Sequence, residues 1–385
     1  MVVERIAMMK EVLGFFDAHA KLSEHKKAAQ WGCRDKPIYG KVLSDIEKIL
    51  IIRADGIGDL LNSTPAIALL RQNYPSAEIT VLARPLNAPV LLGNPDVDRV
   101  IVFDRRGEHR QLTERLQFYR ALRREQFHLV VAMQTATWPH LIAFLSGAPY
   151  RLGRYQKGLK STLTHAWRGK YQKGETHEVD RNLELVRLIC EGEGDRQLVF
   201  NLLPDEIANA ETRLASLGIG NDAFLIGIHP GGSSFDKRWP EKQYAELADR
   251  LVQNYNATIL LLHGPDEAEL THNIQEAMQS DATTYAPKTI RELGALLSRC
   301  NLVVCNDSGP MHLAAALDVP TVAIFGPTDH VAWHPMSENA SVVRRDMPCW
   351  PCSAHKCKIG WECTKKLPVE MVWQTTAMTV EASRK

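Results

Sequence analysis

The 385-residue sequence predicts an α/β protein built from two parallel-sheet arrays facing each other across a cleft. Three observations carry this. Short, continuously apolar runs alternate with helical segments on both sides of residue 200, as strands buried on two faces require. The alternation pauses at 201–220, where Pro204 and LGIGND interrupt it, and then restarts. Glycine-bearing loops follow several of the runs, at the strand ends where α/β proteins bind ligands.

Taken in order, residues 1–45 read as an N-terminal helical extension. Val3, Ile6, Met9, Leu13 and Phe16 recur at helical spacing, and 32–39 carries loop signals. The polar face mixes acids and bases, which favours packing on the body over a membrane surface. Residues 46–200 form the first array. Its strands are 49–52, 79–83, 99–103 and 129–132, and Thr64-Pro65 caps a helix reaching about residue 73. Residues 201–385 form the second array, with strands 225–229, 258–262, 302–305 and 321–325. A helix opens at Pro240, and Thr289 and Glu292 spell a capping box. A Cys-rich segment at 349–363 and a C-terminal helix complete the chain.

Composition excludes some functions. Net charge is +1, so no global field attracts nucleic acid, and a nucleic-acid partner is not expected. No apolar run is long enough to span a bilayer. Glu4, Lys10 and Glu11 break the N-terminal apolar stretch, so a signal peptide is not expected and the reading is cytoplasmic. Cys33, Cys190, Cys300 and Cys305 are scattered and read as reduced thiols.

Three loops of the second array suit a diphosphate: HPGGSS at 229–234, HGP at 263–265, and NDSGPMH at 306–312, which opens the helix LAAAL. Glycine lets backbone approach a ligand closely, and a helix start offers N–H groups and partial positive charge. Lys237 can meet phosphate as a point charge. The candidate donor-site residues are therefore Gly231, Gly232, Ser233, Lys237, Gly264, Asp307, Ser308, Gly309, Pro310, Met311 and His312. Each loop alone would be an ordinary βα turn. Three on one sheet edge with a lysine point to a nucleotide site.

The loop RADGIGD at 53–59 is not a dinucleotide fingerprint. Leu61 occupies the third glycine position, and Ala83 and Arg84 stand where an acidic ribose contact would be. It offers two carboxylates, Asp55 and Asp59. A carboxylate can take the proton of an attacking hydroxyl, and Asp59 can equally cap the next helix.

Across 48–372 the chain resembles glycosyltransferase family 9, the ADP-heptose:lipopolysaccharide heptosyltransferases. The motifs are ILIIRADGIGDLLNSTPAIALLRQNYP, HPGGSSFDKRWPEKQYAELADRL and VVCNDSGPMHLAAALDVPTVAIFGPTD, the last being the most specific. The resemblance implies a glycosyltransferase B fold of two Rossmann-like domains, with acceptor on the first and donor on the second. It implies inverting transfer of heptose from ADP-heptose in lipopolysaccharide inner-core assembly, with no cofactor required. It implies Asp59 as catalytic base, Lys237 on the donor phosphates, and the turn at Asp307–His312 on phosphate and sugar. His312 can touch the donor or merely fix the turn.

Cys349, Cys352, Cys357 and Cys363 are spaced to offer four thiolates to structural zinc or iron, or to remain free thiols. Arg105, Arg106, Arg110, Arg120, Arg123, Arg124, Arg151, Arg154, Lys157 and Lys160 cluster where the resemblance places the acceptor. They read either as a solvated surface or as attraction for an anionic glycolipid at the inner face of a membrane. The alternatives are transfer to a protein or small molecule, a nucleotide-sugar epimerase, and a binding module without catalysis.

Overall fold

The computed structural model describes residues 41–350, 352 and 357–383. Most of the expected N-terminal extension, residues 1–40, lies outside the described residues. The first sheet contains β1 (Lys48–Ile52), β2 (Glu78–Ala83), β3 (Arg99–Val102), β4 (Leu129–Ala132), β5 (Tyr150–Arg154) and β6 (His165–Trp167). The second contains β7 (Leu225–His229), β8 (Thr258–Leu262), β9 (Thr283–Tyr285), β10 (Leu302–Asn306), β11 (Thr321–Phe325) and β12 (Ala340–Arg344).

The strand order is β3-β2-β1-β4-β5-β6 in the first sheet and β12-β11-β10-β7-β8-β9 in the second. All pairings are parallel. Counted within each half, the two orders are the same doubly wound pattern. Each therefore reverses between its first and fourth strands, β1 beside β4 and β7 beside β10. Ligand crevices of such sheets open there, beyond the carboxyl ends.

The apolar runs explain why these strands are central. Alternate side chains of a strand face opposite ways. Ile49 and Ile51 enter one apolar cluster and Leu50 and Ile52 another. Val303 and Cys305 likewise part from Leu302 and Val304. One of these clusters is continuous between the halves, joining Leu60 and Leu69 of the first to Leu296, Met311 and Leu313 of the second.

Several expectations need correction. The pause at 201–220 contains a helix, Pro204–Ser216, whose Glu206 side chain accepts from the Leu203 N–H at 2.8 Å. Ser63, not Thr64, occupies the cap position of the helix Thr64–Asn73. Thr64 Oγ1 instead donates to the Leu61 carbonyl and accepts from Val199 N–H. Pro240 is the cap residue of the helix Glu241–Tyr255, not its first turn. Four strands went unread: β5, β6, β9 and β12. Three of these are short or at a sheet edge, and β5 carries Arg151, Gly153 and Arg154 in place of an apolar run. Among the described residues no helix is long and apolar enough to cross a membrane.

Candidate active site

The loop leaving β1 is rooted by Arg53, which is 1% exposed. Its Nη1 donates to the Met133 carbonyl at 3.1 Å. Its Nη2 donates to Asp59 Oδ1 at 2.9 Å and to Glu178 Oε1 at 3.2 Å. Its Nε lies 3.1 Å from Asp55 Oδ1, at ion-pair distance without hydrogen-bond geometry. Burial opposes the charge on Arg53, but Asp55, Asp59 and Glu178 outweigh it and raise its pKa.

Glu178 opens the helix Glu178–Val186 and also meets Arg154 at 3.3 Å and Arg181 at 3.6 Å. Burial disfavours its ionisation, yet Arg154, Arg53 and Arg181 together hold its carboxyl below the ordinary range. A buried carboxylate is tolerated only with such partners. Three arginines and three carboxylates thus lock the loop to β5 and to that helix.

Asp59 is the third residue of the helix Ile57–Leu61. Its Oδ2 accepts from the Gly56 N–H at 3.0 Å, so it does cap this helix. Each carboxylate oxygen has a second lone pair, and the side chain, 26% exposed, lines a cavity of about 500 Å³. Asp55, Tyr155, Arg168, Lys170, Tyr171 and Trp333 also line it. Trp167 and Tyr171 stack at 4.4 Å, and Arg168 lies over Tyr155 at 4.4 Å. The basic segment is only partly a surface. Arg151 donates to the carbonyls of Thr162 and Ala148, and Arg154 is buried against Glu178 and Asn182.

Across the cleft the three glycine loops meet at buried Asn306 and half-buried Glu267. Asn306, at the end of β10, accepts from Trp239 N–H and Tyr244 Oη through Oδ1, and donates to the Pro230 and Gly231 carbonyls through Nδ2. Glu267 accepts from Gly232 N–H at 3.0 Å, Gly264 N–H at 3.1 Å and Arg238 Nη2 at 3.1 Å. A Cβ on Gly231 would stand 2.1 Å from Glu267 Oε2, so a side chain there would displace the carboxylate. Lys237 Nζ donates to Asp307 Oδ2 at 2.7 Å. Ser308 precedes the helix Gly309–Ala316, with Pro310 in its first turn. Ser233 is exposed on the loop crest. Met311 is fully buried in the core, and its N–H donates to the Ser308 carbonyl at 3.2 Å. The structure therefore gathers Gly231, Gly232, Gly264, Lys237 and Asp307 around one sheet edge.

His312 is buried, and burial, only partly offset by Asp307 and Asp59, lowers its pKa to about 4. Its ring presses on Gly58: a Cβ there would be 2.3 Å from His312 Cδ2. Gly309 similarly abuts Ile57. The turn at 306–312 thus touches the helix bearing Asp59. His177 Nε2 to the His334 carbonyl at 3.0 Å, and Gly174 N–H to Asp329 at 2.7 Å, add further links between the halves.

Described residues in and beside the Cys-rich segment adjoin these links. Lys173 Nζ donates to the Cys352 carbonyl at 2.9 Å, and Trp350 lies against Gly174 and His330. Thr364 Oγ1 donates to the Asp236 carbonyl at 2.8 Å, beside Lys237. Cys349, Cys352, Cys357 and Cys363 line one small cavity. Among the described residues, however, no group of three or more His, Cys, Asp or Glu side chains is arranged to hold a metal ion. The expected zinc or iron has no support in this arrangement: Cys349 is exposed, and Cys357 Sγ accepts from Trp361 N–H at 3.2 Å. Burial pushes the thiols of Cys190 and Cys300 up to about 12, as expected of inert core cysteines.

Sequence reasoning overlooked Glu178, Asn306 and Glu267. Glu267 sits three residues after Gly264, where an acidic residue near a helix start reads as an ordinary cap. Nothing in the local sequence of Glu178 announces three arginine partners, two of which are distant in the chain.

The chain is similar to known proteins over most of its length. Lipopolysaccharide heptosyltransferase 3 of Escherichia coli strain K12 is 29% identical over 296 residues, covering 73% of this chain and 83% of that protein. A family 9 glycosyl transferase structure from Veillonella parvula superposes with a TM-score of 0.77 at 22% identity, covering 87% of this chain and 97% of that one. The E. coli heptosyltransferase WaaC, solved with ADP, superposes with a TM-score of 0.67 at 22% identity, covering 86% and 99%. These likenesses show the two-sheet glycosyltransferase B fold. The profile of glycosyltransferase family 9 (heptosyltransferase) matches residues 115–361, so this chain belongs to that family and is a glycosyltransferase.

Proposed function

We propose that this enzyme transfers heptose from ADP-heptose to a hydroxyl of an anionic glycan acceptor in lipopolysaccharide inner-core assembly. The observation that carries the reading is the meeting of Gly58 with His312. It sets Asp59 of the first half beside the turn of the second that bears Asp307, the partner of Lys237. A base and a diphosphate-binding turn on facing edges are what a sugar transfer needs. Heptosyltransferase relatives, one of them solved with ADP, support the donor.

The acceptor enters the cavity of about 500 Å³, where Arg168 and Lys170 suit its negative charge and Trp167 and Tyr171 offer apolar faces to a sugar ring. Asp59 takes the proton of the acceptor hydroxyl as its oxygen bonds to the anomeric carbon. The bond from that carbon to the diphosphate breaks on the opposite face, and its electron pair leaves with ADP. Lys237 and the start of the helix Gly309–Ala316 stabilise that charge. The first half holds acceptor and the second donor. Arg105, Arg106 and Arg110, exposed on the loop after β3, favour an anionic membrane face for the encounter.

The test incubates the full chain with ADP-heptose and with acceptor extracts, and reads product mass. A gain of one heptose on a glycolipid is expected. Transfer only from other nucleotide sugars, or an epimer formed without acceptor, would refute the reading.

A further inference from the structure

The mechanism uses Asp59 and leaves Asp55 without a role, although both carboxylates line the same cavity and face the same guanidinium. The two are not held alike. Asp59 has both oxygens engaged, one by Arg53 and one by the Gly56 N–H. Asp55 Oδ1 is buried beside Arg53 Nε at 3.1 Å, and neither atom makes a hydrogen bond among the described residues. The backbone beneath Asp55 is fixed separately, because Asn87 Nδ2 donates to its carbonyl at 2.9 Å. Arg53 itself cannot swing away: Met133 and Glu178 hold its other nitrogens inside the protein.

One immobile positive charge is therefore divided among three carboxylates. How much of it falls on Asp59 depends on the charge of the other two. Glu178 is kept ionised by Arg154 and Arg181 as well as Arg53, so it is a constant. Asp55 is the variable member. We propose that Asp55 is a positioning residue for Asp59, whose ionisation sets how much of the Arg53 charge Asp59 must carry and so how readily Asp59 accepts a proton. The proposal rests on Asp59 being the base of the transfer.

The groups facing Asp55 give the sign. Arg53 at the end of β1 favours its ionisation, while Asp59 on the next helix and Glu178 on the helix Glu178–Val186 oppose it. Burial dominates, and the Asp55 carboxyl is pushed up to about 6. Beyond Asp59, His312 from the facing half is neutral near pH 6, its own pKa lying lower. Above about pH 6 Asp55 is charged and takes a share of the fixed Arg53 field. Below it Asp55 is neutral, that field falls on Asp59 and Glu178 alone, and a carboxylate that bears more of a cation is a poorer proton acceptor. Turnover falls as pH drops through that value.

The experiment measures kcat and donor KM of the full chain from about pH 5 to 8 for the parent, Asp55→Asn and Asp55→Glu. The parent is expected to show an inflection near 6. Asp55→Asn is expected to lose it and to turn over ~10-fold more slowly at neutral pH with donor KM kept within about two-fold. Asp55→Glu is expected to restore an inflection. An unchanged inflection or full turnover in Asp55→Asn overturns the proposal, since a merely structural Asp55 would lower the rate at all pH values alike. A second readout does not need turnover: carbon-13 NMR of aspartate carboxyls in the full chain. One carboxyl titrating near 6, absent from Asp55→Asn, is expected. No aspartate titrating in that range overturns the proposal whatever the donor. Titration with no activity on ADP-heptose would instead refute the donor reading alone.

Discussion

Gly58→Ala tests the contact on which the whole site depends. A Cβ at residue 58 would lie 2.3 Å from His312 Cδ2, 2.8 Å from Nε2 and 3.2 Å from Cγ. Ordinary carbon contacts begin near ~3.5 Å, so ring and helix must separate by about 1.2 Å. The ring has little room, since His312 is 3% exposed and Trp333 lies edge-on to it at 6.4 Å. Overpacking of this kind costs about 1–3 kcal/mol. Alanine's better helix propensity offsets at most ~1 kcal/mol of that. The expected result is a melting temperature lower by a few degrees, roughly 2 °C per kcal/mol in a chain of this size. The effect on turnover is larger. The displaced elements carry Asp59 on one side and the Asp307 turn on the other, and a shift near 1 Å at reacting groups costs about 100-fold. The assay is thermal unfolding together with steady-state transfer for Gly58→Ala, His312→Ala and the double variant. Removing the ring removes the obstacle, so in the His312→Ala background the glycine change should cost under about 0.5 kcal/mol. Strictly additive losses would show that the ring is not what Gly58 accommodates, and would refute the reasoning.

Asp59→Asn should lower kcat by roughly 100-fold or more with donor affinity kept, read by steady-state kinetics and donor titration. Full turnover in that variant would remove Asp59 as base. Lys237→Met should weaken ADP binding measured by calorimetry by about ten-fold, and leave Asp307 buried without its 2.7 Å partner. Glu178→Gln leaves Arg53, Arg154 and Arg181 without their shared carboxylate and should cost about 3–5 kcal/mol in denaturant unfolding. Because the Glu178 carboxyl is held below its ordinary value, its contribution is full above about pH 4.5 and fades as pH falls through the lowered value. His177 and His312, lowered to about 3 and about 4, act in the same direction from about pH 6.5 downward, while Asp55, raised to about 6, opposes them, so stability should decline on acidification only by the difference. Thr364→Val removes the hydrogen bond to the Asp236 carbonyl, and should raise donor KM more than it changes the melting temperature.

Much of this protein is written locally. Eight strands are continuous apolar runs, and a strand buried on both faces must be one whatever its partners. The glycine loops and Lys237 follow those strands directly, so their place at the carboxyl edge follows from chain order alone. The family motifs lie in those same segments. Other features depend on residues distant in the chain. β5 lacks an apolar signature because Arg151 and Arg154 find their partners in Thr162, Ala148, Glu178 and Asn182 only after folding. Asp59 could be read as cap or base from its neighbours. The structure shows the cap and adds the arginine it shares with Asp55 and Glu178. Gly58 looks like any loop glycine until His312, some 250 positions later, is set against it. Strand, turn and helix signals are short-range and survive in one dimension. A buried charge cluster and a contact across a cleft are balances between surfaces that meet only in the tertiary fold.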